Sequence, residues 1–423
     1  MNYDVNGFLS SIENRKDELF HLLLGMLQID SQSFSDGTGN EEAFAEHLAN
    51  LFRELGVEPD IFSPLSAGIE THEDYYPGRH LEHRNNCVAL FPGLDHSKRI
   101  MLAAHEDTVI IGRKESWTVN PFGEIKNGRI YGRGACDDKY ALAACVFIMK
   151  LLKENGIVLP YDVVVAGFSD EENGGSNGAL AACLKYPCDE AIMLDGHNLE
   201  LTAGGAGGGI VKVSMSCDKP LSSCEIMFDA FQVLRDEFKS FAAKRRDEFK
   251  TKPYFADTDV PDTTVRFTDV RAGWDGSAMN HLEALITFYT TSDEKAIRAE
   301  WEAIKTRMNE KLKEKQIHVD SFDMITRFFH YTETSNNNKA LMHMADILEK
   351  YLGIHRIPSG MCLSDYPMFT YYATPNAFGM GSGRNFSCDG GAHQRDEFIE
   401  CSDLTAFTKA IAAFLLTYQM ESE

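Results

Sequence analysis

Apolar positions recur at helical spacing near the start of the chain. Leu19, Leu22, Leu23, Met26 and Leu27 form one stripe, and Phe44, Leu48, Leu51, Phe52 and Leu55 form a second. The spacing predicts helices across residues 7–56, interrupted by the turn-rich IDSQSFSDGTGN loop. Residues 64–86, with Pro64, Pro77 and Gly78, read as irregular. The pattern then changes. Short apolar runs at 86–91, 99–104, 163–168 and 191–194 read as strands, and 140–154 reads as a helix. Strand and helix in alternation predict an α/β fold, with a mixed, largely parallel sheet flanked by helices.

The glycine-rich stretch at 203–209, AGGAGGG, reads as a linker or tight turn. Beyond it come a strand at 210–215, a long amphipathic helix over about 222–248, strands at 264–268 and 284–290, and a helix at 293–313. This β-α-β-β-α-β-like order predicts an inserted α+β, ferredoxin-like domain at 209–331. The main domain would then comprise 1–208 and 332–423, with a helix at 338–352, a short strand at 376–378 and a closing helix at 403–418.

With 423 residues the chain can bury a substantial core. A formal net charge of −23 argues against nucleic acid or an anionic membrane as partner. The ten cysteines show no CxxC pair or disulfide-like rhythm, the N-terminus lacks the regions of a signal peptide, and no long apolar run is present. These features predict a cytoplasmic protein with reduced thiols.

Part of the acidity is concentrated where the predicted strands end. AAHEDTV follows one strand, SDEENGG another and MLDG a third, while GRGACDDK precedes the 140–154 helix and GGAHQRDEF lies late in the chain. Sites in open α/β sheets form at the carboxyl ends of strands. His105 offers a neutral imidazole, and Asp107 is placed to accept its other ring N–H. Asp137 is the best candidate for a bridging carboxylate; Asp138 competes with it, or caps the following helix. Glu171 and Glu172 repel one another unless a cation relieves them, which suggests one ligand and one general base. Asp195 and His393, each in a turn, complete the donors. Hydrolysis of an amide at neutral pH needs a nucleophile and a stabilised oxyanion, and two divalent ions supply both.

In order along the chain, AAHEDTV, PFGEIKNGRIYGRGACDDKYALAA, SDEENGG, MLDG and GGAHQRDEFIE resemble the zinc-dependent aminoacylase and carboxypeptidase superfamily. Acetylornithine deacetylase, succinyl-diaminopimelate desuccinylase and several dipeptidases belong to it. The resemblance implies a co-catalytic zinc exopeptidase-like fold whose inserted domain serves as a lid and dimerisation module. It also implies two divalent metal ions, zinc by preference, with cobalt or manganese able to use the same ligands. His105 and Asp195 would hold one ion, Glu172 and His393 the other, and Asp137 would bridge. Glu171 would be the general base and acid, Asp107 the partner of His105, and the Asp137–Asp138 peptide would be cis. The implied activity is hydrolysis of an N-acyl amino acid or short peptide by a cytosolic enzyme that could form a homodimer. A dipeptidase or carboxypeptidase, and a non-catalytic metabolite-binding protein of the same fold, are the alternatives.

Two departures accompany the resemblance. The lid histidine typical of such proteins is absent from VSMSCDKPLSSC at 213–224, where Lys219 and the later His281 are inexact substitutes. Asn280 matches a family-type asparagine, but the strand after it lacks the substrate-carboxylate arginine. Arg384 or Arg271 would have to take that carboxylate, with backbone N–H groups of Gly381–Gly383 assisting.

Overall fold

The strand Tyr161–Phe168, YDVVVAGF, is buried at all eight positions, as expected of an apolar, β-branched run covered on both faces. It lies beside Asp95–His105, which lies beside Glu190–Met193, which lies beside Phe378–Gly381, and these four run parallel. Asn86–Phe91 and Asp60–Phe62 extend the sheet on one side through antiparallel pairs. On the other side Glu200–Gly205 pairs antiparallel with Phe378–Gly381. The sheet is therefore mixed, with a parallel centre and antiparallel flanks. The computed structural model describes residues 3–219, 221, 223–273 and 280–420.

The chain divides into two compact units. The first is Met1–Ala203 with Thr334–Pro358 and Met368–Glu423; the second is Gly204–Glu333 with Ser359–Pro367, a stretch the sequence reading left with the first. In the first unit the helix Lys139–Glu154 is buried along nearly its whole length. It packs on Lys16–Leu27 and Cys401–Thr417, and the latter packs on Lys339–Leu352. A small antiparallel sheet, Phe398–Glu400, Arg129–Tyr131 and Glu124–Lys126, completes this unit. No helix among the described residues is long and apolar enough to cross a membrane.

The second unit has the order strand Gly207–Cys217, helix Glu225–Phe249, strands Val265–Gly273 and His281–Thr290, helix Glu294–Leu312 and strand Ile317–Met324. Its four strands are antiparallel, and the outermost pairings place Val265–Gly273 and Ile317–Met324 at the edges. This is the α+β, ferredoxin-like arrangement. Val211, Val213, Met215, Leu282, Ala284 and Ile286 face Leu234, Phe238, Trp301 and Met308 in its core. Pro220 and Ser222, which fall in the 213–224 segment singled out above, and residues 274–279 lie outside the described residues.

The linker expected at 203–209 is instead strand: Gly207, Gly208 and Gly209 pair with Thr290, Tyr289 and Phe288. The glycines serve close packing. A Cβ at Gly208, whose φ is +131°, would sit 2.1 Å from the Phe288 carbonyl oxygen, and one at Gly209 would sit 2.4 Å from Met324. The short strand expected at 376–378 begins two residues later, at Phe378, because Asn376 is held in a turn by bonds to Thr374 and Asp189.

Glu190 gives the fold a pH dependence. Its carboxyl is buried, accepts one hydrogen bond from the Tyr418 hydroxyl at 2.7 Å, and is pushed up to about 7 by that burial. The folded protein thus holds a proton there that the unfolded chain releases near the ordinary glutamate value. This contribution to stability is present at low pH and is lost as pH rises toward 7. Glu190→Gln should flatten the decline between about pH 4.5 and 7; urea midpoints across that range would show it. An unchanged slope would rule the assignment out.

Candidate metal centre

All of the donors expected to bind metal belong to the first unit. His105 is the last residue of Asp95–His105, Glu171 and Glu172 follow Tyr161–Phe168, and Asp195 follows Glu190–Met193. Three adjacent parallel strands therefore deliver them at their carboxyl ends. Asp137 comes from the loop before Lys139–Glu154, and the Asp137–Asp138 peptide is cis. His393 lies between Phe378–Gly381 and Phe398–Glu400, with a left-handed φ of +62°.

Asp137 stands between two histidines. Its Oδ1 is 3.0 Å from His105 Nε2, and its Oδ2 is 3.2 Å from His393 Nε2. His393 Nε2 is also 2.6 Å from Glu172 Oε2. Donor atoms of His105, Asp137 and Glu172 lie within 4.8 Å of one another, and so do those of His105, Asp138 and Asp195. Two overlapping ligand groups thus share His105.

His105 Nδ1 lies 2.9 Å from the main-chain carbonyl oxygen of Asp107, and 3.6 Å from that residue's carboxylate. The carboxylate also accepts the backbone N–H groups of Glu171 and Glu172, each at 3.2 Å, and Nη2 of Arg84 at 3.3 Å. Asp107 therefore positions the Glu171–Glu172 turn as well as the imidazole. Val109 N–H adds a bond to Glu172 Oε1 at 3.0 Å.

Asp138 occupies the N-cap position of Lys139–Glu154 but makes no capping bond. Its two carboxylate oxygens are buried, and neither has a hydrogen-bond partner among the described residues. Burial and the nearby Asp195 push its pKa well above the usual range. Asp195 itself is raised to about 7 by burial and by the Asp137 charge. The histidines shift in the sense opposite to burial. Burial disfavours their cations, yet Asp107 and Asp137 hold His105 well above the usual imidazole value, and Glu172 with Asp137 lifts His393 to about 11. Asp137 in turn is held below the usual carboxylate range despite burial, by His105 and His393.

These features fit a divalent cation. An imidazole whose Nδ1 donates to a carbonyl presents a lone pair at Nε2. Here that lone pair is aimed at a carboxylate oxygen, so only a proton or a metal ion reconciles the two donors. His393 likewise turns its Nε2 toward carboxylate oxygens, those of Glu172 and Asp137. Orphaned oxygens on Asp138 add acceptors that a cation would satisfy.

Among the residues assigned to substrate, Arg384 lies in the first unit. Its guanidinium stacks on the Phe398 ring at 4.1 Å and donates to the Asp389 carbonyl at 3.4 Å. The backbone N–H groups of Ser382 and Gly383 are also taken, by the Tyr140 hydroxyl at 2.7 Å and the Gly196 carbonyl at 2.8 Å. Asn280 and Arg271 lie in the second unit. Asn280 donates to the Cys217 carbonyl at 2.6 Å, and Arg271, exposed, donates to Asp269 at 2.7 Å. Two buried residues were given no role by the sequence: Arg84 in the irregular 64–86 stretch and Glu397 within the GGAHQRDEF segment. Arg84 lies outside any periodic segment, and Glu397 stands out only as part of the segment that carries His393.

Known proteins support the same fold and family. A deformylase of Bacillus subtilis, acting on N-formyl-4-amino-5-aminomethyl-2-methylpyrimidine, is 28% identical over 221 residues, 51% of this chain and 47% of the relative. The chain spans about half the length of the curated relatives it matches. The di-peptidase Dug1p of Saccharomyces cerevisiae superposes with a TM-score of 0.75 at 17% identity, and human carnosine dipeptidase 1 with 0.72 at 16%. Each alignment covers 98% of both chains, a likeness of fold. The model of one family matches residues 101–417, the span that carries every donor described above, and the chain belongs to peptidase family M20/M25/M40.

Proposed function

We propose that this chain, in a family whose members are metal-dependent hydrolases, hydrolyses the amide bond of an N-acyl amino acid or a short peptide at a centre of two divalent ions, zinc by preference. The observation that carries the reading is Asp137, whose two oxygens face the Nε2 atoms of His105 and His393. His105 and Asp195 would hold one ion, Glu172 and His393 the other, and Asp137 both. Bound there, two cations would acidify a water molecule and polarise the scissile carbonyl.

The chain's own residues do the rest. Glu171 takes a proton from the attacking water and returns it to the leaving nitrogen. Asp107 holds the backbone of Glu171 and Glu172, so the base and its neighbouring ligand move as one. The His105 tautomer is set by the Asp107 carbonyl. A deacylase is favoured by the deformylase relative, and a dipeptidase by the full-length overlay with two dipeptidases.

The test is metal analysis of protein purified without chelator, run beside hydrolysis of N-acetylornithine, N-acetylmethionine, N-succinyl-diaminopimelate and a few dipeptides. About two equivalents of divalent metal, with turnover of one substrate, is the expected result. A protein that takes up no metal on reconstitution and turns over none of the panel is a binding protein of this fold.

A further inference from the structure

Glu397 lies four residues beyond His393, and its carboxyl is fully buried. Its Oε1 accepts the backbone N–H groups of Gly134 and Cys136, each at 3.0 Å, and its Oε2 is ion-paired with Arg133. Gly132 N–H donates to the Glu397 carbonyl at 2.9 Å. The small antiparallel sheet explains this meeting. Phe398 pairs with Tyr131, so the residue before one strand adjoins the residue after the other. The loop it grips is GRGACD, which ends in Asp137. Gly134 has a φ of +88°, and a Cβ there would sit 2.9 Å from Thr108, so the loop is tightly confined where the carboxylate meets it.

A buried carboxylate is costly unless it is paired and hydrogen-bonded. Here one carboxylate spends its acceptors on the loop that ends in Asp137, while its own backbone continues from the loop that carries His393. Asp396, next to it, accepts both the N–H and the hydroxyl of Thr118, at 2.7 and 2.8 Å, and so anchors the same loop. None of these contacts reaches His105 or Asp195.

We propose that Glu397 is a positioning residue that registers Asp137 against His393 and so sets the affinity of the ion held by Glu172, His393 and Asp137. The inference rests on the two-metal reading above. The ion held by His105 and Asp195 would depend on Glu397 only through the shared Asp137.

The experiment is Zn²⁺ titration of metal-stripped protein against a chromophoric chelator, for the full chain and for Glu397→Gln, with thermal melting of the apoproteins. Glutamine keeps the shape and one acceptor oxygen but loses the charge that pairs with Arg133. Wild type should bind two equivalents. In the variant one equivalent should weaken by about 10–100-fold while the other stays within about threefold, with the apoprotein still melting cooperatively. Two unchanged affinities would overturn the proposal. So would an equal loss of both in step with a lower melting temperature, because that marks a purely structural role. If Glu397→Gln does not fold, Arg133→Met is read by the same criterion. Wild type that binds no zinc would overturn the metal centre itself, a result distinct from equal binding by wild type and variant.

Discussion

Glu171→Ala is expected to lower kcat by about 10²–10⁴-fold, the range for loss of a positioned general base, while the protein keeps its divalent metal. The separation follows from the geometry. Glu172 is the one of the pair in contact with His393, at 2.6 Å, and its other oxygen is held by Val109. Glu171 shares with it the backbone anchor on Asp107. Replacing its side chain leaves both backbone bonds to Asp107 intact. Metal analysis and steady-state kinetics on the same preparation read the two effects separately. A loss of turnover below tenfold would remove Glu171 as the base; loss of metal along with turnover would make it a ligand.

The second large effect concerns stability. Arg84→Met should destabilise the metal-free protein by about 3–5 kcal/mol, the scale for breaking a buried ion pair from one side. Arg84 is fully buried among Glu41, Asp107 and Asp170, which are fully buried too. Its Nε donates to Glu41 at 2.7 Å, Nη1 pairs with Asp170, and Nη2 reaches Ser33 at 2.8 Å and Asp107 at 3.3 Å. Arg79 supports Asp170 at 2.7 Å but does not reach the other two carboxylates. Methionine would fill much of the volume while leaving Glu41 and Asp107 without their shared cation. Urea denaturation of stripped wild type and variant measures the difference, and a change under about 1 kcal/mol would mean that the network tolerates the missing charge. The zinc affinity of Arg84→Met should fall as well, since Asp107 orients His105 and both glutamates.

The candidate metal centre was largely legible before the fold, and for a local reason. Each donor follows an apolar run or sits in a glycine-bounded turn, so the change from buried to acidic residues marks where a strand stops. AAHEDTV and SDEENGG show this within seven residues each. The inserted unit was legible as well, because its helices carry apolar stripes at helical spacing and its strands carry alternation. Glycine defeated the local reading at 203–209. A glycine run signals freedom when read by itself, whereas here it permits strands to approach closer than any side chain would allow.

Sequence by itself marked the candidate donors, because the spacing of His, Asp and Glu relative to strand ends is a property of one segment at a time. Tertiary structure alone decided how those donors are held. Arg84 reaches Asp107 across 23 positions, and Glu397 reaches Gly134 and Cys136 across more than 260. It also decided that the Asp107 carbonyl lies closer to His105 than its carboxylate, that neither Asp138 carboxylate oxygen has a hydrogen-bond partner among the described residues, and that Arg384 stacks on Phe398. The physical reason is the same in each case. Buried charges acquire partners through contacts that form only when distant segments pack, and such contacts leave no period or spacing in the chain.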